Sequence, residues 1–220
     1  QVYLERCQKL TKVIAANCPN LKLLSLHLCA LPAEATLALV EDLADHGADY
    51  NAMAPAYKIF ALGTKVTYKE GNVWSPKAAS VARRKGWVLL SKNEDEYGEP
   101  TPVFEYAKVT IEETEHGTIA LEGYDKEDWA YMPQGETYKV VATPETGYEL
   151  KELKVNDDDI LEELEFPLFG DSKITAAFAK AAPVAYAYYL TKVEPTVATA
   201  TVYTYGYDEN KKWVSRTSMK

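Results

Sequence analysis

Side chains able to do chemistry are few in this 220-residue sequence, so their positions carry information. The three cysteines stand at Cys7, Cys18 and Cys29, 11 residues apart each time. An odd number cannot all pair within one chain, and no C-x-x-C occurs. The histidines are His27, His46 and His116. His27 and Cys29 would share one face of a strand, yet a metal site needs further ligands, and no fourth partner stands beside them. Asp157, Asp158 and Asp159 invite a calcium reading. Their spacing lacks the alternating oxygen ligands and the glycine of a calcium loop, so a solvated turn is the expectation. Glu112, Glu113 and Glu115 supply paired carboxylates, as a hydrolase would need, without a nucleophile–base spacing or a Gly-rich phosphate loop. No catalytic set, metal or cofactor is therefore expected.

The elements that position these residues explain the cysteine spacing better than reactivity does. Leu10 is followed 11 residues on by Leu21, Val13 by Leu24, and Leu4 by Ala15 and Leu26. Two units result, L-x-x-V-x-A-x-x-C from Leu10 to Cys18 and L-x-x-L-x-L-x-x-C from Leu21 to Cys29. Fixed-period self-similarity points to a solenoid, and the alternation within each unit to a short strand with one face inward. Cysteine packs as a small apolar residue, so three buried, unpaired thiols are expected. The pattern resembles a leucine-rich repeat. That resemblance implies coils of about 22 residues made of two half-units and a concave strand near 24–28. Ser25 and His27 alternate with inward Leu24 and Leu26, so both are expected to face outward as candidate binding residues, with Lys22 nearby.

The following segments alternate helix and strand. Leu31–Gly47 reads as a helix with Leu37, Val40, Leu43 and Ala44 on one side and Gly47 as its stop. Tyr57–Leu62 is a buried-type strand. A second helix has Ser75 at its N-cap, Pro76 in its first turn and Gly86 just past its end. Arg83, Arg84 and Lys85 suit its C-terminal dipole; a solvated helix end is expected there, an anion patch being the alternative. Trp87–Leu90 is the next strand. This αβαβ run is similar to the C-terminal cap of bacterial leucine-rich-repeat proteins, which would close the apolar end of a solenoid. The charged stretch with Gly and two Pro that follows reads as a linker.

From Tyr106 the pattern becomes short strands punctuated by Gly117, Gly135, Gly147 and Gly170. "HGTIALEG", "MPQGETYKVVATPETGYELKELKVND" and "FGDSKITAAF" occur in that order and resemble the internalin B-repeat-like domain of bacterial surface proteins. The resemblance implies a compact β-rich, β-grasp-related module with no catalytic residues, used as a secreted or surface-exposed spacer or adhesive unit. The acidic "DDDILEELEFP" is a longer insert than the family pattern carries. His116 belongs to an exposed hairpin turn. Tyr186 and Tyr188, then Tyr203, Tyr205 and Tyr207, would line strand faces in a C-terminal β-meander. They are either cross-strand stabilisers or an aromatic platform, with Tyr203 and Tyr205 as candidate binding residues.

The expected fold class is α/β plus β. It divides into a leucine-rich-repeat end with cap (1–92), a linker (93–105), an internalin B-repeat-like domain (106–181) and a β-meander (182–220). A net charge of −9 and pI near 5.0 exclude the basic face that nucleic acid or anionic membrane demands. No apolar run reaches the ~18 residues of a membrane span. The expected role is a secreted or cell-surface bacterial binding or adhesion protein without catalysis, with a protein or glycan ligand at the cell surface. Alternatives are a non-catalytic accessory region of a larger secreted hydrolase and a self-assembling surface-structural protein, associating through an uncapped N-terminal repeat. Further repeats and a signal peptide are expected before Gln1.

Overall fold

The structure is a computed structural model that describes residues 1–16, 18–47, 56–94 and 99–182, and the backbone of 202–207 and 213–219. The first unit is a five-stranded sheet in the order β1 (Val2–Tyr3), β2 (Leu23–Ser25), β3 (Tyr57–Thr64), β4 (Trp87–Asn93), β5 (Thr101–Pro102). The first four strands run parallel and β5 is antiparallel. Val2 pairs with Leu24, 22 residues further on, which is two of the 11-residue periods. The next steps, Leu24 to Ile59 and Ile59 to Leu89, are longer and each carries a helix. A stack of equal coils is therefore not what forms: one short coil joins a β–α–β–α–β sheet.

The two helices, α1 (Ala33–Asp42) and α2 (Pro76–Arg84), cover one face of this sheet. Leu24, Ile59, Ala61 and Leu89 from the strands meet Leu39 and Val40 of α1 and Ala79 and Ala82 of α2. The small residues of α2 let the helix lie close to the strands. Its ends follow local rules. The Ser75 side chain accepts from the Ala78 N–H, Pro76 needs no partner in the first turn, and Gly86 takes φ +83 past the last turn. A Cβ on Gly86 would collide with the Gly47 carbonyl, so the two glycines close the α1 and α2 ends against each other.

The segment read as a linker is partly built into this unit. β4 extends to Asn93, Leu90 pairs with Pro102, and Val103 and Phe104 pack on the first core. A linker reading rests on charge and Gly/Pro content, which do not register a two-residue strand at a sheet edge.

The second unit comprises β6 (Tyr106–Ala107), β7 (Val109–Ile111), β8 (Gly117–Leu121), a 3-10 helix (Lys126–Ala130), β9 (Met132–Pro133), β10 (Thr137–Pro144), β11 (Tyr148–Val155), β12 (Asp158–Asp159), β13 (Glu165–Pro167) and β14 (Ser172–Lys180). These form a four-stranded sheet, β12-β11-β14-β7, a three-stranded sheet, β13-β10-β8, and the short pair β6-β9. Val109, Tyr138, Val140, Leu153, Phe166, Leu168 and Ile174 fill the core between them. β11 carries a bulge between Leu150 and Glu152 where it pairs with β14. β15 (Val202–Tyr207) and β16 (Trp213–Met219) form an antiparallel pair.

Candidate functional site

Ser25, at the end of β2, and His27, two residues beyond it, point away from the helix-covered core, as alternation requires. They are not exposed, however: Ser25 is 1% and His27 0% accessible. Glu94, 67 residues away at the end of β4, explains the difference. His27 Nε2 donates to Glu94 Oε1 at 2.7 Å, which leaves Nδ1 to accept from the Ser25 hydroxyl at 3.0 Å. The other Glu94 oxygen accepts from Arg6 at 2.6 Å and Lys65 at 3.1 Å. Burial opposes the Glu94 charge, but the hydrogen bonds from His27, Arg6 and Lys65 outweigh it and hold the carboxyl down to about 2. A Cβ on Gly63 would lie 2.8 Å from the His27 ring, so a glycine is needed where β3 passes the imidazole.

The order hydroxyl–imidazole–carboxylate is that of an acyl-transfer triad. Here both hydroxyl and imidazole are sealed from solvent, and the carboxylate is shared with two cations. What the arrangement does is satisfy buried polar groups and tie together the ends of β2, β3 and β4 and the turn after β1. Below it Glu70 accepts from the N–H groups of Leu28 at 2.7 Å and Gly63 at 2.8 Å, and Asn72 bridges Leu26, Leu31 and Ala61.

The cysteines divide. Cys29 is buried, its thiol donating to the Leu4 carbonyl at 2.9 Å, and burial pushes it up to about 11. Cys7 and Cys18 are exposed, which corrects the expectation of three buried rungs. The reason is topological: Cys7 follows β1, the edge strand of the described sheet, and Cys18 occupies the opposite half of a 22-residue turn. Register nonetheless joins the coils, with Leu4 N–H donating to Ser25 and Arg6 N–H to His27.

The sheet face opposite the helices carries a cross-strand row, Tyr3–Ser25–Phe60–Leu90, fixed by register. Tyr3 is exposed, the Phe60 ring lies edge-on to His27, and the Lys92 ammonium sits 5.6 Å above Phe60. Tyr203 and Tyr205 stand on β15 opposite Ser218 and Arg216. Their side chains, with Tyr186 and Tyr188, lie outside the described residues. Asp158 and Asp159 form β12, and Asn156 and Asp157 turn with positive φ before it. Among the described residues no group of three or more His, Cys, Asp or Glu could hold a metal ion, and no helix is long and apolar enough to cross a membrane.

The basic end of α2 is not a solvated terminus. Asp128 of the 3-10 helix is fully buried and accepts from Lys77 at 2.6 Å and Arg84 at 2.9 Å, both on α2. The Arg83 guanidinium lies 5.4 Å from the Tyr131 ring centre, and Ser80 meets Met132. This clasp joins the two units. Its sequence signal was the cation run; the partner, more than 40 residues away, gave none.

Residues 107–182 match the family model described as a divergent InlB B-repeat domain. The match coincides with the second structural unit and its β-rich architecture. No curated protein and no solved structure matches the chain.

Proposed function

We propose that this chain is a binding or adhesion protein of the bacterial cell surface, acting without catalysis. The domain type matched by 107–182 is typical of bacterial surface proteins, which supports the location. Within this reading, residues 1–92 are the end of a leucine-rich-repeat unit with an αβ cap. The observation that carries it is the parallel pairing of β1 with β2 at an offset of 22 residues, with both helices on one face. The opposite face, bearing Tyr3, Phe60, Lys58 and Lys92, then presents the contact surface to a protein ligand. Ser25 and His27 support that surface from beneath; they do not touch the ligand.

A protein and glycan array probed with the whole chain tests this. Binding to a surface protein that falls at least tenfold in Phe60→Ala is expected. Turnover of chromogenic esters or glycosides with no array binding would reverse the reading. A second reading, self-association, is favoured by one observation: Val2 and Tyr3 lie exposed on the edge strand β1. Light scattering distinguishes the two, since edge pairing requires a dimer that Tyr3→Pro, which removes the outward N–H of β1, abolishes.

A further inference from the structure

The second unit contains a cleft of about 390 Å³ that the sheet-face reading does not use. It is lined by Ile111, Glu113, Ile119, Lys126 and Trp129, among others. It borders two sheet edges at once, because β7 ends the four-stranded sheet and β8 the three-stranded one. β8 reads Gly-Thr-Ile-Ala-Leu, with no charge, proline or bulge to protect it.

The register of β8 on β10 says which backbone groups are open. Glu122 N–H donates to Lys139, and Glu145 N–H donates to His116. Antiparallel pairs alternate between bonded and non-bonded, so Thr118 and Ala120 bond to β10 while Gly117, Ile119 and Leu121 direct their N–H and C=O outward. The Gly117 carbonyl accepts from the Thr114 hydroxyl and the Leu121 carbonyl from Tyr124 N–H. Ile119, at the middle of the strand, keeps both groups facing the cleft side. Nearby, the Trp129 indole N–H is buried with no acceptor among the described residues, an arrangement that costs free energy unless a ligand supplies one. Among the described residues Glu113 forms no ion pair, whereas its neighbour Glu112 is bound by Lys173.

We propose that this cleft binds an extended, basic peptide segment of a partner protein as an added strand on β8. The peptide backbone bonds the N–H and C=O of Ile119, and a peptide carbonyl accepts from Trp129 Nε1. An alternating side chain packs on Ile111 and the Trp129 ring, and a cationic one reaches Glu113. The choice of a basic partner follows from two carboxylates, Glu112 and Glu113, against one cation, Lys126, in the lining, and from a net charge of −9. The proposal goes beyond the sheet-face reading and is independent of it.

Fluorescence anisotropy of a labelled peptide of alternating Thr and Lys, against one of Thr and Glu, tests it on the whole chain. Saturable binding of the Thr/Lys peptide alone is expected. Ile119→Pro removes only an outward N–H and should weaken binding about tenfold; Trp129→Phe keeps a ring and should weaken it about fivefold. Glu113→Lys should abolish the preference for the basic peptide. Trp129→Phe and Glu113→Lys decide the matter where Ile119→Pro fails to fold. Absent binding at millimolar peptide, equal affinity for the acidic peptide, or affinity unchanged in the folded variants overturns the proposal. Saturable binding of chitohexaose in the cleft, without the peptide, does so as well.

Discussion

At the scale of single residues, Glu94 is the group on which the first unit depends most. Its folded-state carboxyl is held at about 2, below its ordinary value of 4.5. A depressed acid stabilises the fold above the unfolded-state value, and that contribution is lost as pH falls from about 4.5 towards 2. Glu94→Gln is therefore expected to cost on the order of 2–3 kcal/mol at pH 7, with wild type and variant converging near pH 2; urea unfolding across that range checks it. The thiols give a second expectation. Ellman's reagent should label Cys7 and Cys18 in the folded protein and Cys29 only after denaturation, since its thiol is buried and raised to about 11. Three fast thiols would contradict the coil register. Gly63→Ala should destabilise by roughly 2 kcal/mol, because the new methyl meets the His27 ring between packed strands. Thermal unfolding of the variant would measure the loss.

At the scale of elements, what the sequence disclosed depended on how far each element's partners lie along the chain. α2 was legible because its cap, first-turn proline and terminal glycine are all local; Ser75→Ala should cost about 1 kcal/mol by chemical denaturation. The strands of the second unit were legible from alternation and glycine turns, and the family match covers the same residues. The 11-residue period located β1 and β2 through their register. It did not reveal that Ser25 and His27 are buried, because the covering carboxylate, Glu94, comes from just past β4. Alternation assigns a side chain to a face, not to solvent. Asp128 was equally invisible: in the first turn of a 3-10 helix it reads as the capping-box partner of Asp125, and it is one, yet its carboxylate also holds Lys77 and Arg84.

At the scale of the molecule, the clasp around Asp128 and the packing of Tyr106 from β6 on the first core make the two units neighbours in more than sequence. Calorimetry of the wild type should show the two units melting together. Asp128→Ala leaves two cations facing an interface, should cost about 3 kcal/mol, and should separate the melting of the units. A variant that still melts in one transition would mean that the packing of Tyr106 on the first core alone couples them. The second unit has a further property. Its second strand β7 and its last strand β14 lie side by side and parallel, Val109 beside Ser172 and Ile111 beside Ile174. If the chain is tugged from its two ends, those strands slide lengthwise past one another, and the bonds between them share the load instead of unzipping in turn. Under the surface role proposed above, the module would act as a tension-bearing link.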